Sequence, residues 1–600
     1  VSLIENKNEF NRFDFFWSFF YFIFIIFLIK LINFQIIKYQ YYKQLAEKNK
    51  TQIINQNAPR GRIITCDGEI VASNKASYSL IYFPNQSMTE QDKRKLASLI
   101  SLYTGNDREK TLNTILKASA LMRPAKLVEN MGTSAIMKIA ELKNFYSGLQ
   151  LIPESTRYYP YNNWLSHIIG YMGKIDSADW KLYSSLSGYN MDSMVGKTGV
   201  EKKYEQYLKG QDGGLYMEID NKGRLVRVAD SKQSVEGGDV YLTLDFRLQK
   251  AAEEALDSLI YKRGVAIALD PDSGKILVYA VKPGFDLNSF VTYREEKDDK
   301  KLSEFDEFNL GVQATYPPAS TFKVISTIAA LESGRLAPEE EFYCPGYFNA
   351  GDRIFKCWDK KGHKKMNMIK GLANSCDVYY YNLALKVGPL EIENIAKKFR
   401  LGMKTGVDLS GERDGNLFGP SIRARKKSYW FIGDTLNMAI GQGETLVTPI
   451  QMAVFISAIA SKGRIYRPYY VDKIVKKNKD TIVVNKPYLL DRADLKEKTW
   501  EILYQGLKEV VESGTGQIVK MNGIEVYAKT GTAQNPHGKD HAWFICFAKK
   551  PDENPKIAIA VLIEHGEHGS SSAAPVAKAI IKAMYNNVKE NENKRDLVVE

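Results

Sequence analysis

The sequence lacks the features that would place it in several large functional classes. It has no internal repeat. It has no phosphate loop. Gly196-Lys197-Thr198 approaches that motif, but Met191 stands where the first glycine is required, so an ATPase reading fails. Nor is there one concentrated basic element on which nucleic acid could dock. The net charge is +13, from 83 Lys and Arg against 70 Asp and Glu, but the lysines are spread along the chain among acidic residues. That pattern gives solvated faces, or a loose attraction to anionic lipid or wall polymer. Cysteine is sparse, with five in 600 residues, and there are six histidines.

What is present begins near the N-terminus. Phe15 to Ile29 carries no charge, is dominated by Phe and Ile, and continues through Lys30, Leu31, Ile32 and Phe34. A hydrocarbon core needs roughly 20 apolar residues to cross, and Lys30 can snorkel to the interface. Gln35-Ile36-Ile37-Lys38-Tyr39 offers no small-residue cleavage site. The run therefore reads as an uncleaved transmembrane anchor over 15–36, with 1–14 as a short tail. Charge counting leaves the orientation open. Lys7 and Arg12 precede the span and five lysines follow it closely, at 30, 38, 43, 48 and 50. Counting alone would leave the bulk of the chain in the cytoplasm, but long domains translocate largely regardless of charge.

After the anchor, a Gln/Lys-rich segment over roughly 38–57 reads as a helical stalk. A mixed region follows, with alternation at Tyr78 to Phe83 and an amphipathic run at Ser134 to Leu142. Gly237-Gly238-Asp239 punctuates the chain. Beyond it, Val240 to Leu244 reads as a strand, and Gly264 to Pro271 with Gly274 to Ala280 as a hairpin. Residues 320–332 and 449–461 read as helices, 541–548 and 557–564 as strands, and 574–585 as a last helix. Strands at both ends with helices between predict an α+β domain whose sheet is closed late. The polar end, 586–600, reads as a disordered tail.

Ser320 and Lys323 share one face of a helix, one turn apart, and Pro317-Pro318 suits its start. A serine hydroxyl needs an adjacent base to become a nucleophile, and a desolvated lysine near other cations can serve. The chain has no other Ser-x-x-Lys. Taken alone the spacing also fits a surface pair. Two further elements decide: Ser375-Cys376-Asp377, and Lys529-Thr530-Gly531-Thr532. In that order they form the signature of penicillin-recognising serine enzymes, with Asp377 where Asn is common. Lys-Thr-Gly occurs three times, at 197–199, 404–406 and 529–531. Only the last follows a strand-like stretch, Ile524 to Ala528. There Lys529 and Gly531 project to one face, and the glycine permits close approach of a substrate backbone. The other copies read as loops.

With these motifs the chain resembles the class B penicillin-binding proteins, specifically the type that serves rod-shape elongation. Pro59-Arg60-Gly61-Arg62-Ile63, Arg157-Tyr158-Tyr159-Pro160, His167 to Tyr171 and Val195 to Leu208 are similar to pedestal signatures. Thr65-Cys66-Asp67-Gly68 departs from the usual form and keeps only the glycine. Tyr316 to Lys323, Ala439 to Gly443 and His541-Ala542-Trp543-Phe544 are similar to the later domain. Asp377 is typical of that elongation branch. The resemblance implies an N-terminal transmembrane helix, an elongated mixed α/β pedestal of dimerisation type over 37–238, and a transpeptidase domain over 239–585. It implies that the latter is an antiparallel sheet with helices on both sides. It also implies a single-pass protein of the inner membrane with its catalytic domain in the periplasm. The implied chemistry is peptidoglycan D,D-transpeptidation. Ser320 attacks the terminal D-Ala–D-Ala bond with Lys323 as base, Ser375 and Lys529 relay the proton, and Asp377 completes the catalytic set. Thr530, Gly531 and Thr532 hold substrate, with the oxyanion on the N–H groups of Ser320 and Thr532. No catalytic cofactor is implied. The implied partners are stem peptides, β-lactams, a SEDS-family glycosyltransferase and other membrane proteins of the elongation complex. A β-lactamase or carboxypeptidase of the same fold would not need the pedestal. A silent β-lactam sensor or scaffold is disfavoured by the intact Ser320, Lys323, Ser375 and Lys529.

Three cysteines lie within 33 residues in the pattern Cys344-x12-Cys357-x5-His363-x12-Cys376. A Cys3His set suits closed tetrahedral structural zinc. A Cys344–Cys357 disulfide and three unrelated thiols are the competing readings. Some members of the resembled branch carry a metal here. Cys376 lies inside the middle motif, so zinc would brace Ser375 and Asp377. His537, His541, His565 and His568 read as turn or strand-end residues. Cys66 reads as a pedestal thiol and Cys546 as a strand-core thiol.

Overall fold

The computed structural model describes residues 12–43, 51–84, 88–146, 148–191, 193–219, 225–261, 263–291, 307–478 and 480–596. The apolar run forms the helix Arg12–Ile32, continued by a π-helical turn, Asn33–Ile37. Its span Phe15–Ile37, 23 residues of mean hydropathy 2.4, is long and apolar enough to cross a membrane.

Two compact units follow from the packing, and each is threaded by separate stretches of chain. The first comprises 1–58, 76–155 and 211–235. In it the capped helices Glu90–Thr104 and Arg108–Leu121 pack with Thr133–Leu142 over strands Ala125–Met131 and Leu149–Tyr158. The helical stalk expected over 38–57 holds at 39–43, which is helical, and is corrected at its far end. Thr51–Gln56 is a strand, antiparallel to Gly213–Ile219, because Thr51, Ile53 and Ile54 are β-branched and suit a pleated surface better than a helix. Residues 44–50 lie outside the described residues.

The second unit comprises 59–75, 156–210 and 236–600. Its centre is an antiparallel five-stranded sheet: β1 (Gly264–Leu269), β2 (Ile276–Lys282), β5 (Glu525–Ala533), β6 (His541–Lys549) and β7 (Ile557–Ile563), where β3 and β4 are a small hairpin, Tyr347–Ala350 and Arg353–Lys356. The order is β2-β1-β7-β6-β5, so the late strands close the sheet as expected. Alternate residues of these strands enter two different cores, so the sheet is apolar on both faces. Ala266, Ala268, Phe544 and Val561 meet helices α1 (Phe246–Asp257) and α7 (Ala574–Asp596). Val265, Ile267, Ile545 and Leu562 meet the opposite layer. That layer holds α2 (Lys323–Ser333), α3 (Asp377–Val387), α4 (Ile432–Ala439) and α5 (Pro449–Ala460); α6 (Glu497–Glu512) packs beside β5.

Two ends differ from expectation. The segment 319–322 is a 3-10 turn, and the α-helix proper starts at Lys323. The tail expected to be disordered from 586 is helical through Asp596, and the last four residues lie outside the described residues. No Gly or Pro interrupts Met584 to Asp596, and Glu and Lys are strong helix formers.

Candidate active site

Ser320 sits half-exposed in the 3-10 turn Ala319–Phe322, and Lys323, which follows that turn, is wholly buried. In 3-10 geometry residues i and i+3 eclipse, which sets Ser320 and Lys323 on one side of the chain. The turn is strained: Ala319 has φ +51°. Two bonds hold it. Ala319 N–H donates to Gly441 O at 2.8 Å, and Trp543 donates its indole N–H to Pro317 O at 3.0 Å. A side chain at Gly441 would place Cβ 2.2 Å from Ala319 O, so glycine is required there.

Lys323 joins the first motif to the second. Its Nζ donates to Ser375 O at 2.7 Å, to Ser375 Oγ at 3.2 Å and to Asp377 Oδ1 at 2.7 Å. Ser375 is also left-handed, with φ +52°, immediately before α3 begins. The other oxygen of Asp377 accepts the Trp358 backbone N–H at 2.9 Å.

The third motif arrives on the edge strand β5. Lys529 is wholly buried on the face that meets α2, and its Nζ donates to Thr530 O at 3.1 Å. Burial, and then the charge of Lys323, push the Lys529 pKa well below the ordinary lysine value, against a smaller opposing pull from Asp377. Gly531 serves a purpose not foreseen from sequence. A Cβ built there would lie 3.1 Å from Thr321 Cγ2 and 3.0 Å from Trp543 Cβ. The close approach is therefore between the strand and the protein's own serine turn. Thr532 is half-exposed and its carbonyl accepts from Gln442 Nε2 at 3.0 Å. Thr530 is buried and pairs with Thr515, Oγ1 to Oγ1, at 2.6 Å.

Neither of the other two Lys-Thr-Gly copies is on a strand: Lys197 and Thr198 lead into the short helix Gly199–Lys203, and 404–406 is a loop. Lys197 pairs with Asp176 and Asp179, while Thr405 N–H and Oγ1 donate to Glu412 Oε1.

Cys344, Cys357, His363 and Cys376 come together. Their ligand atoms all lie within 4.8 Å of one another. His363 Nδ1 faces the sulfurs of Cys357 at 3.5 Å and Cys344 at 3.8 Å. All five cysteines are free thiols. A hydrogen bond with Cys376 pulls the Cys357 pKa well down, which favours a thiolate in the cluster. This donor set, three buried sulfurs and one imidazole nitrogen, fits a closed tetrahedral site. Cys546 is a strand-core thiol in β6, whereas Cys66 is exposed in a turn.

Sequence reasoning assigned no role to Gly441, Gln442, Trp358 or Thr515. The Ala439 to Gly443 stretch was recognisable by its resemblance, and nothing in it showed that it ties the turn to the strand.

A serine turn, two buried lysines and a Ser-x-Asp loop beside an edge strand define a penicillin-recognising serine enzyme. The chain belongs to the penicillin-binding proteins. The profile of the penicillin binding protein transpeptidase domain matches residues 264–582, and that of the penicillin-binding protein dimerisation domain matches 55–242. Among curated relatives, the peptidoglycan D,D-transpeptidase MrdA of Acinetobacter baumannii is 32% identical over 571 residues, 91% of this chain and 83% of that protein. The penicillin-binding protein PBP2 of Helicobacter pylori, solved in complex with MreC, superposes with TM-score 0.73 at 27% identity, covering 89% of this chain and 99% of that one. A peptidoglycan synthase complex that coordinates polymerization and crosslinking contains a chain with TM-score 0.69 and 26% identity, covering 96% of this chain and 98% of that one.

Proposed function

We propose that the protein is a peptidoglycan D,D-transpeptidase of cell elongation and that Ser320 is its acylated nucleophile. The observation that carries this is the bonding of Lys323 Nζ to both Ser375 and Asp377, next to a second buried lysine, Lys529. Two buried lysines share one nearby carboxylate, and a second positive charge is unfavourable there. The pair thus keeps one amine neutral and able to accept a proton. Lys529 is the neutral amine, so Lys323 hands one of its protons through Ser375 to Lys529 and takes the proton of Ser320 in exchange as Ser320 Oγ adds to the D-Ala–D-Ala carbonyl. The peptide bond breaks, and the departing amine takes a proton through Ser375 and Lys529. An amine from a neighbouring stem then attacks the ester, releases Ser320 and forms the cross-link. The N–H groups of Ser320 and Thr532 receive the oxyanion. Thr532, the half-exposed threonine, faces the substrate carboxylate, with Thr530 and Gly531 shaping the strand. Labelling membranes with a fluorescent β-lactam tests this: wild type is labelled covalently, Ser320→Ala is not, and the label turns over slowly. Equal labelling of Ser320→Ala would sink the assignment.

Within the same reading, Cys344, Cys357, His363 and Cys376 hold a structural zinc ion, which would fix the loop carrying Ser375 and Asp377. Metal analysis of purified protein is expected to return about one zinc per chain, lost in His363→Ala, as a four-ligand site requires. A stoichiometric Cys344–Cys357 disulfide would refute this. Residues 37–238 act as the pedestal and 239–585 as the transpeptidase domain, in the periplasm beyond a single anchor. The partners are stem peptides, β-lactams, a SEDS-family glycosyltransferase and membrane proteins of the elongation complex. The H. pylori complex with MreC and the synthase complex support an assembly of that kind.

A further inference from the structure

Three consecutive cations, Arg425, Lys426 and Lys427, stand exposed at the end of the short helix Pro420–Arg425. Among the described residues none of the three is paired with a carboxylate, whereas nearby Arg423 is paired with Asp434 and Glu444. The chain then runs Tyr429-Trp430-Phe431-Ile432 and divides its side chains. Trp430 is anchored: it stacks on Phe418 with ring centroids 5.4 Å apart and donates its indole N–H to Thr435 Oγ1 at 2.8 Å. Tyr429, Phe431 and Ile432 point outward and are 82%, 64% and 60% exposed. The backbone beneath them is fixed, since Phe431 N–H donates to Asp434 Oδ2 at 3.0 Å. Large apolar side chains held in water on an anchored backbone, rimmed by charge, mark an interaction surface.

This surface is tied to the nucleophile turn. It leads directly into α4, and the chain beyond α4 reaches Gly441, whose carbonyl receives the N–H of Ala319, the neighbour of Ser320. Eight helical residues rise about 12 Å. An extended peptide of four or five residues spans roughly 13–18 Å. A polymer lying on the outward side chains can therefore deliver a short branch to Ser320.

We propose that Arg425, Lys426, Lys427, Tyr429, Phe431 and Ile432 form a platform that binds the glycan strand whose stem peptide is acylated at Ser320. Sugar rings lie on the faces of Tyr429 and Phe431, and free carboxylates of the stem peptides pair with the three cations. The chemistry of the polymer argues for this occupant: it offers sugar rings with apolar C–H faces and carboxylates repeated on its stems, and the surface offers aromatic faces and cations together. The identity of the polymer rests on the transpeptidase reading.

The test uses the full chain in detergent. The variants are Arg425→Glu/Lys426→Glu/Lys427→Glu, Tyr429→Ser/Phe431→Ser and the milder Lys427→Gln. Each is assayed for cosedimentation with purified peptidoglycan sacculi and for acylation by a fluorescent penicillin, which is too small to need the platform. Charge reversal is expected to weaken sacculus binding about tenfold or more. The aromatic double variant should weaken it as well, with acylation rates preserved throughout. Unchanged sacculus binding in the charge and aromatic variants overturns the proposal. So does displacement by polyglutamate as potent as by soluble glycan strands, which would mean charge alone. A charge-reversal variant that also loses acylation is misfolded, and sacculus binding by the other two variants then decides. Failure of the wild type to be acylated would instead refute the transpeptidase reading, whatever the sacculus binding.

Discussion

Asp377 uses both of its oxygens, one for Lys323 and one for the Trp358 backbone N–H. An asparagine could accept only one of these bonds and would turn its NH2 toward the other donor. That explains why an acid stands at this position in this chain. Lys529 carries the opposite demand, a cation's side chain in a place that disfavours charge. Unfolded, it stays protonated up to its ordinary value of 10.5; folded, it loses the proton far sooner. The unfolded state thus binds more protons between the lowered value and 10.5, so stability rises with pH across that window and the burial penalty is largest below it. Thermal unfolding is expected to show Lys529→Met more stable than wild type near neutral pH, with the gap closing toward pH 10. Its β-lactam acylation should fall by about 10²-fold or more, as for loss of a proton-transfer group. A pH-independent gap would contradict this account. The three motifs were legible because their chemistry is encoded in residue type and order. The left-handed φ of Ala319 and Ser375 was not. Neither residue type prefers that region, and bonds from Gly441 and Lys323, distant in sequence, stabilise it.

At the scale of elements, the position of β5 depends on a missing side chain. Gly531→Ala would set Cβ 3.1 Å from Thr321 Cγ2 and 3.0 Å from Trp543 Cβ, so the strand and the serine turn are pushed apart. Overpacking of this kind costs about 1–3 kcal/mol. Acylation is expected to fall about tenfold or more, measurable as the second-order rate with a fluorescent penicillin; a near-wild-type rate would show that the turn yields instead. Strands β1, β2, β6 and β7 could be placed from apolar runs bounded by turns, because burial on both faces leaves a strong signal. The segments misread were the amphiphilic ones. Thr51–Gln56 has too short a pattern to separate strand from helix, and the 3-10 start before α2 follows from Pro317-Pro318 and the Gly441 bond jointly.

At the scale of the molecule, the second unit gathers chain from far apart through one buried ionic network. Glu201, wholly buried, accepts from Arg60 Nε at 2.6 Å, from Arg157 Nε at 2.7 Å and from Tyr159 Oη at 3.1 Å. Glu205 takes the other arm of Arg60 at 2.6 Å. Burial opposes the ionised form of Glu201, yet Arg157 and Arg60 outweigh it and hold the pKa below its ordinary value. Glu201→Gln leaves two guanidinium groups under-compensated and is expected to cost about 3–5 kcal/mol, read from chemical denaturation. A loss within experimental error would mean that the segments are held by packing alone. The residues of this network were visible as separate sequence fragments; their convergence was not, since nothing local links positions 60, 157 and 201. The order of the central sheet carries a further meaning for how the protein is made. Ser320 and Lys323 are synthesised long before their companions on β5, and β1 waits for its partner β7, almost three hundred residues later. The half-made chain therefore holds Ser320 and Lys323 without the strand that carries Lys529. A chain stopped ahead of β5 carries the first two motifs and lacks the third altogether.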